Sequence, residues 1–514
     1  MNYKDAAPTA LTTIHFAAFA FFARQFFLHD ILLLRRRKFC HADAMPVPVV
    51  NLAQMREWER ATWATGQTEA GVIRCVGQKI AGRAREFTRA GDSILILAGQ
   101  GHNGDDARAA REFWDERTVE LLNISAPGND LPKLKSALLK KPALIIDGLF
   151  GIGLNRTLDD GWKKFIGVVN KSKIPVLAVD VPSGLNADTG EHFGAAIEAA
   201  VTLTVGAPKI GMLAQNAWPL VGRLEVAEDV GLISCPHKSE LNWTLPDDFQ
   251  NFPPRRAVAG HKGSFGHLAI VAGSFGFHGA GVLTARTAQR AQPGLVTLFT
   301  DEKVYGAVAP QLQAAMVNVW RPKLKFPDST SAILIGPGLA APGIVGKMKA
   351  FTQKLWRDSD LPMVVDASAL DWLPTGKFSK NAIRIITPHP GEASRLLKTT
   401  TETIQKNRME SLREISRRFG DCQVVLKGHQ TLVGRSAGEI FVNPSGNPHL
   451  AQGGSGDVLA GFIAGLLAQP ELQTDAVKTI HYAVWQHGNA ADKLQASRAN
   501  WVVEDLPAEL GKNP

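Results

Sequence analysis

Short, unbroken apolar runs that end in glycine and aspartate, each followed by a helical stretch, constrain this chain more than any other feature. Residues 93–98 read SILILA, 143–146 and 176–179 are similar apolar runs, and further strands are expected at 118–122, 201–205 and 267–272. A run of this length with no polar alternation fits a strand covered on both faces, as in a parallel sheet. Between the runs lie stretches of helical spacing. Leu52, Met55, Trp58 and Trp63 mark one from residue 51, and a second covers about residues 70–84. Strands alternating with helices predict open parallel sheets with ligands at the carboxyl ends of the strands.

A chain of 514 residues exceeds one ordinary core and predicts two domains. Periodicity breaks over residues 231–256, where Pro236, Pro246, Pro253 and Pro254 cluster, and the boundary is placed there, giving domains at 45–235 and 236–514. Residues 1–44 are expected to stand outside both. Their apolar stretch at 6–23 is interrupted further on by Arg24, His29 and Asp30 and followed by Arg35-Arg36-Arg37-Lys38. It reads as a marginal signal or anchor, or, the favoured reading, as an over-extended start with Met45 the true initiator. The net charge is +9, of which residues 1–44 supply six Lys/Arg against three Asp. No sustained basic stripe remains, so nucleic acid is not an indicated partner, and a membrane is not expected. Cys40, Cys75, Cys235 and Cys422 form neither a CxxC pair nor a disulfide framework, which fits a reducing, cytoplasmic setting. No zinc-ligand spacing occurs. The oligomeric state is left open, a homo-oligomer included.

The strand ends carry the chemistry. GQGHNGDD (99–106), DGLFGIGL (147–154) and DVPSG (180–184) bring carboxylates, amides and glycines to one sheet edge. In the second half GSFGFHGAG (273–281), GPG (336–338), Asp366, PHPGE (388–392) and Lys427-Gly428 do the same. The last motif, AQGGSGDVLAG (451–461), runs three glycines into Asp457 at the head of an apolar helix. Glycines let backbone N–H groups turn toward an anion, and a helix N-terminus adds roughly half a positive charge there. A carboxylate beside such a site suits phosphoryl transfer to a hydroxyl. A strict GxxxxGK[ST] P-loop is absent.

In their order over residues 50–510 these motifs resemble the bifunctional NAD(P)H-hydrate repair enzymes, in which an epimerase domain precedes a dehydratase domain. The resemblance is carried by MREWERATW (55–63), GQGHNGDD, DGLFGIGL and DVPSG. In the second half it is carried by HKGSFGHLAIVAGS (261–274), GPGL (336–339), TPHPGE (387–392), LKGHQT (426–431) and GGSGDVLAG (453–461). It implies two α/β domains, a Rossmann-like three-layer sandwich and then a ribokinase-like domain. It further implies a K+ ion held by Asn103, Asp147 and Ser183, and epimerase substrate contacts from His102, Asn103, Gly104, Asp105 and Asp106. More would come from Gly151, Ile152, Gly153, Leu154, Asn155, Arg156 and Thr157, with Asp180 as acid/base. In the dehydratase domain it implies Ala280, Gly338, His389 and Asp457 on the hydrate. Lys427, Gly428, His429, Gln430, Thr431 and Gly456 would then lie on ADP, with Mg2+ bridging its phosphates. The family's first loop reads G-x-G-N-N-G-G-D-G. Here His102 replaces an asparagine, Asp105 a glycine and Ala107 a glycine, and Asp105 is expected to meet a backbone that favours glycine.

Two other readings use the same residues. One is a ribokinase-like small-molecule kinase with a fused nucleotide-binding domain, since GGSGD activates a hydroxyl in either case. The other is a non-catalytic nucleotide-binding scaffold, against which the convergent Asp147, Asp180 and Ser183 argue.

Overall fold

The computed structural model describes residues 46–512 except 115, 323 and 378–381; the expectations for residues 1–44 lie outside the described residues. Two sheets organise the chain. The first has six parallel strands in the order Thr118–Asn123, Ser93–Ala98, Leu144–Gly148, Val176–Val179, Val201–Val205, Arg223–Ala227. Alternate side chains of each strand enter different cores. Ile94 and Ile96 pack with Ile80 and Ala84 of the helix Glu69–Arg85, whereas Leu95 and Leu97 pack with Phe165 and Ile166 of the helix Asp160–Lys171. The result is the expected three-layer sandwich, with period-2 alternation dividing each strand between two helical layers.

The second sheet has eleven strands. Seven run parallel, in the spatial order Met316–Val319, Leu295–Thr300, His267–Val271, Ala332–Ile335, Met363–Val365, Arg384–Ile386, Gln423–Leu426. An antiparallel ribbon, Thr431–Gly434 and Ile440–Asn443, extends the edge. Leu241–Trp243 and Val47–Pro48 complete it. Leu268 and Ile270 face the helices His278–Arg290, Ser455–Leu467 and Ala476–Ser497; Ala269 and Val271 face the opposite layer.

The sequence reading misses this edge. Leu241–Trp243 lies in the stretch taken as linker, and its three buried residues offer too short a pattern for periodicity to register. The two sheets part between Ala227 and Leu241, yet residues 47–50 stitch them together. Val49 N–H donates to Leu241 O (2.8 Å) and Val50 N–H to Pro208 O (3.0 Å). Apolar residues of the first half (Val181, Met212, Val221, Leu224) share one buried cluster with Trp243, Ile335 and Val442 of the second.

The helix Ser455–Leu467, which carries Asp457 in its first turn, packs unusually close to His278–Arg290. At Gly461 an added Cβ would strike the Thr284 carbonyl. Alanine is intrinsically better than glycine in a helix by about 1 kcal/mol, but overpacking of this kind costs about 1–3 kcal/mol. Gly461→Ala should therefore destabilise the protein despite its helix propensity, read as a lower urea midpoint with unchanged m-value.

Candidate functional site

The carboxyl ends of the first sheet open into a cavity of about 560 Å³. Behind its lining residues Leu149 and Phe150 lies Asp147, wholly buried near the end of Leu144–Gly148. The Asp147 carboxylate accepts from Ser183 Oγ (2.6 Å), Ser183 N (2.9 Å) and Leu149 N (3.2 Å). Burial pushes its carboxyl up to about 6, against the pull of these bonds. Asn103 Nδ2 donates to Phe150 O (3.0 Å), and the same carbonyl accepts from Ser183 Oγ (3.2 Å). Asn103 Oδ1 is buried with no partner, an uncompensated acceptor beside a hydroxyl, a carbonyl and a carboxylate. That oxygen-only donor set fits a hard monovalent cation. The Phe150 carbonyl, a backbone group, carries no sequence signal.

The glycine loop makes this approach feasible. A Cβ on Gly99 would collide with Leu149 O and one on Gly104 with Gly99 O. The expectation that Asp105 meets a glycine-only backbone is corrected. Asp105 lies inside the helix His102–Ala109, with ordinary helical geometry, and pairs with Arg108 (2.6 Å). Ala107 is accommodated because Gly148 faces it without a side chain.

Asp180 caps the next strand in the left-handed region (φ 59°), a conformation uncommon for a residue with a Cβ. Its Oδ1 accepts from Lys209 Nζ (2.5 Å), Val205 N (3.0 Å) and Thr204 Oγ1 (3.2 Å). Lys209 is completely buried and spends its other two N–H bonds on Thr204 Oγ1 (2.9 Å) and Val205 O (3.0 Å). Asp180 Oδ2 has no protein donor among the described residues, and Asp180 lines the cavity. The sequence reading did not find Lys209, because a lone lysine beyond a strand reads as a solvated surface residue.

His102, Asn103, Asp106, Gly151, Ile152, Gly153, Leu154, Asn155, Arg156 and Asp180 all line the cavity; Gly104, Asp105 and Thr157 do not. Arg56 and Glu59 join them unforeseen. Asp106 is pushed up to about 8, chiefly by burial and then by the charges of Asp180, Asp105 and Glu59. Glu59 is raised too, by burial and by Asp180.

The second site lies on the carboxyl ends of the larger sheet. Gly454, in the left-handed region (φ 96°), turns the chain into the helix Ser455–Leu467. Lys427 Nζ binds Asp366 Oδ1 (2.9 Å) and lies 3.8 Å from Glu392 Oε2. A Cβ on Gly456 would stand 3.2 Å from Lys427 Nζ and 3.7 Å from Asp366 Oδ2, so the glycine loop is in contact with this ion pair. Burial, then the charges of Asp366 and Glu392, pushes Asp457 up to about 7, with Lys427 opposing. Ala280 and Gly338 adjoin, since a Cβ on Gly338 would reach 2.7 Å from Ala280 Cβ.

His389 takes a structural position as well as an exposed one. Its Nδ1 caps the helix Pro390–Leu397 by accepting from Gly391 N (3.0 Å), so a neutral ring carries its proton on Nε2. Arg408, buried behind the 427–431 loop, donates to Leu426 O (3.1 Å) and Gln430 O (3.3 Å) and was not foreseen. Among the described residues no three His, Cys, Asp or Glu converge as a metal site, and no helix is long and apolar enough to cross a membrane.

Comparison with known proteins agrees with the resemblance. The family described as NAD(P)H-hydrate dehydratase matches residues 268–513, and the one described as YjeF-related protein N-terminus matches residues 115–211, which leaves out the altered glycine loop. The bifunctional NAD(P)H-hydrate repair enzyme of Coxiella burnetii is 32% identical over 86% of this chain and 93% of its own length. The Gloeobacter violaceus enzyme of that description is 33% identical over 91% and 97%, and the Escherichia coli one 32% over 78% and 81%. A solved ADP/ATP-dependent NAD(P)H-hydrate dehydratase from Bacillus subtilis, co-crystallised with ATP/Mg2+, is 30% identical over 50% of this chain and 91% of that one (TM-score 0.45). With relatives of this identity spanning nearly its whole described length, the chain belongs to the bifunctional NAD(P)H-hydrate repair enzymes.

Proposed function

We propose that residues 45–235 interconvert the R and S forms of hydrated NAD(P)H and that residues 236–514 dehydrate the S form at the expense of ADP, giving AMP and phosphate. The observation that carries the dehydratase reading is the meeting of Asp457, Lys427 and Asp366 at the glycine-led helix N-terminus. Asp457 takes the proton of the ring hydroxyl while the terminal phosphoryl group of ADP transfers to that oxygen. Loss of phosphate together with a proton from the adjacent ring carbon, which passes to solvent, then restores the dihydropyridine, because phosphate leaves far more readily than hydroxide. Lys427 and the N–H groups of the 427–431 and 453–456 loops offset the charge on the moving phosphoryl group. Ala280, Gly338 and His389 border the hydrate, and Thr431 and Gly456 the nucleotide. Asp366 and Glu392 are hard oxygen donors suited to Mg2+, which is ordinarily held by one or two carboxylates plus substrate phosphates. Bound there, Mg2+ would neutralise phosphate charge.

In the first half Asp180 Oδ2 exchanges the proton with the hydrate, while Lys209 fixes the carboxylate by its other oxygen. Arg56 and Arg156 at the cavity wall suit the substrate's phosphates. Asn103, Phe150 O, Asp147 and Ser183 would hold K+, which would supply positive charge under the phosphate-binding segment 151–156. A plain sugar kinase has no use for this second, separately built site.

Asp457→Asn should abolish ADP-dependent loss of hydrated NADPH while ADP binding by calorimetry survives. Because Asp457 acts ionised, the wild-type dehydration rate should rise with pH through about 7 and level off above it. Asp180→Asn and Lys209→Met should both stop conversion of the R form and spare dehydration of purified S hydrate; loss of both activities in either variant would refute this division.

Asp106 gives a stability test. Its folded value of about 8 lies above its ordinary one, so wild-type stability falls as pH rises between the two. Asp106→Asn cannot ionise. It should resist urea better than wild type at pH 8, with the difference closing toward pH 4.

A further inference from the structure

The segment Trp218–Val221 belongs to the first half by its place between Val201–Val205 and Arg223–Ala227, yet it reaches the nucleotide loop of the second. The Trp218 ring meets His429 edge-on at 5.0 Å between centroids, with a 65° interplanar angle. The Arg408 guanidinium lies 5.9 Å from the same ring. Trp218 Nε1 donates to Leu213 O (3.1 Å), which fixes the ring from its own side.

Arg408 is the unusual member. It is a buried cation with no carboxylate partner among the described residues, and its N–H groups are spent on Gln405 and on the carbonyls of Leu426 and Gln430. Buried charge of this kind is costly unless an anion answers it. On the outer side of the loop the N–H groups of Gly428, His429 and Gln430 find no acceptor among the described residues, and Gly428 and Gln430 take positive φ (125° and 52°). Successive N–H groups in such a turn form an anion-binding concavity. The indole face, negative at its centre, and the neutral His429 edge close the remaining side.

A second tie reaches the other nucleotide loop. Arg223 Nη2 binds Asp492 Oδ2 (3.0 Å), and Asp492 also accepts from Gly446 N (3.0 Å) and Asn447 Nδ2 (3.1 Å), in the stretch that leads into the 453–456 glycines.

We infer that Trp218 is a positioning residue for nucleotide binding in the other half: through His429 and Arg408 it sets the conformation of residues 427–430, so nucleotide affinity belongs to both halves jointly. This rests on the reading that the 427–431 loop takes the nucleotide phosphates. By linkage, nucleotide bound there strengthens the seating of the first half to the same degree.

The test uses the full chain with ADP and Mg2+. Trp218→Ala should raise the dehydratase KM for ADP about tenfold, ~1.4 kcal/mol of binding, with kcat within about twofold. Trp218→Phe, which keeps an edge-on ring, should bring KM back to within about threefold of wild type. Epimerase turnover, which does not use Trp218, should stay unchanged and report an intact fold. An ADP KM in Trp218→Ala within about twofold of wild type would overturn the inference. So would a parallel loss of both activities, which marks mere packing. If wild type itself binds neither ADP nor ATP, the nucleotide reading falls first and this inference with it.

Discussion

The buried contact between Lys427 and Asp366 is what the proposed dehydratase site depends on. An ammonium taken out of water must be answered by carboxylates, and Asp366 at 2.9 Å and Glu392 at 3.8 Å supply two of them. Beside them Asp457 is raised first by burial and then by the charges of these carboxylates, so it cannot ionise there as easily as in water. A proton acceptor poised near neutrality therefore follows chiefly from burial, with the carboxylates of the ion pair's surroundings adding to it and Lys427 holding it back. Gly456 completes the arrangement, because a Cβ at that point would crowd the lysine ammonium at 3.2 Å. Removing either Lys427 or Asp366 leaves a buried charge unanswered, so the pair cannot drift apart without cost to the fold as well as to the chemistry.

The same construction recurs in the other half with different residues. Asp180 stands at a strand end in left-handed backbone, paired on one oxygen with a fully buried lysine. In the second half Ala367, directly after Asp366, is also left-handed. Strain at a strand end turns the preceding or resident carboxylate out of the sheet and toward the ligand side. Both halves thus hold a working acid by fixing one side of it, and both use the end of a parallel strand to do so. They differ in what surrounds the acid. The first site is a cleft whose lining includes Glu59, Glu69, Asp106 and Asp180, while the second is framed by two glycine-bearing loops.

Much of this was legible in the sequence because local pattern determines it. The strands at 93–98, 176–179 and 201–205 fall on the predicted positions, since a buried strand is built mainly of apolar and β-branched residues. The loops at 99–106, 147–154 and 180–184 announce themselves by glycines, which close approach of backbone demands. Contacts set by topology were not legible. Lys209 lies 29 residues beyond Asp180, and Trp218 meets His429 only after two separate sheets have formed. The ribbon at 431–443 and the strand Leu241–Trp243 are too short to show a period. Asp105 misled because a residue opposite a family glycine was read as needing glycine backbone, whereas the helix His102–Ala109 carries it without strain.

The junction between the halves follows from the same packing rule as their interiors. A lone parallel sheet must cover both faces and both edges, and the edge beyond Gln423–Leu426 is exposed unless something pairs with it. The antiparallel ribbon, Leu241–Trp243 and Val47–Pro48 close that edge in turn, and the last of these leads directly into the helix Leu52–Ala64 that walls the first cavity. Apolar groups from both halves then fill the space beneath as one cluster. Edge protection of the second sheet therefore places the first half where Trp218 can touch His429 and Arg223 can touch Asp492. Burial alone thus supplies a physical path between the two proposed sites.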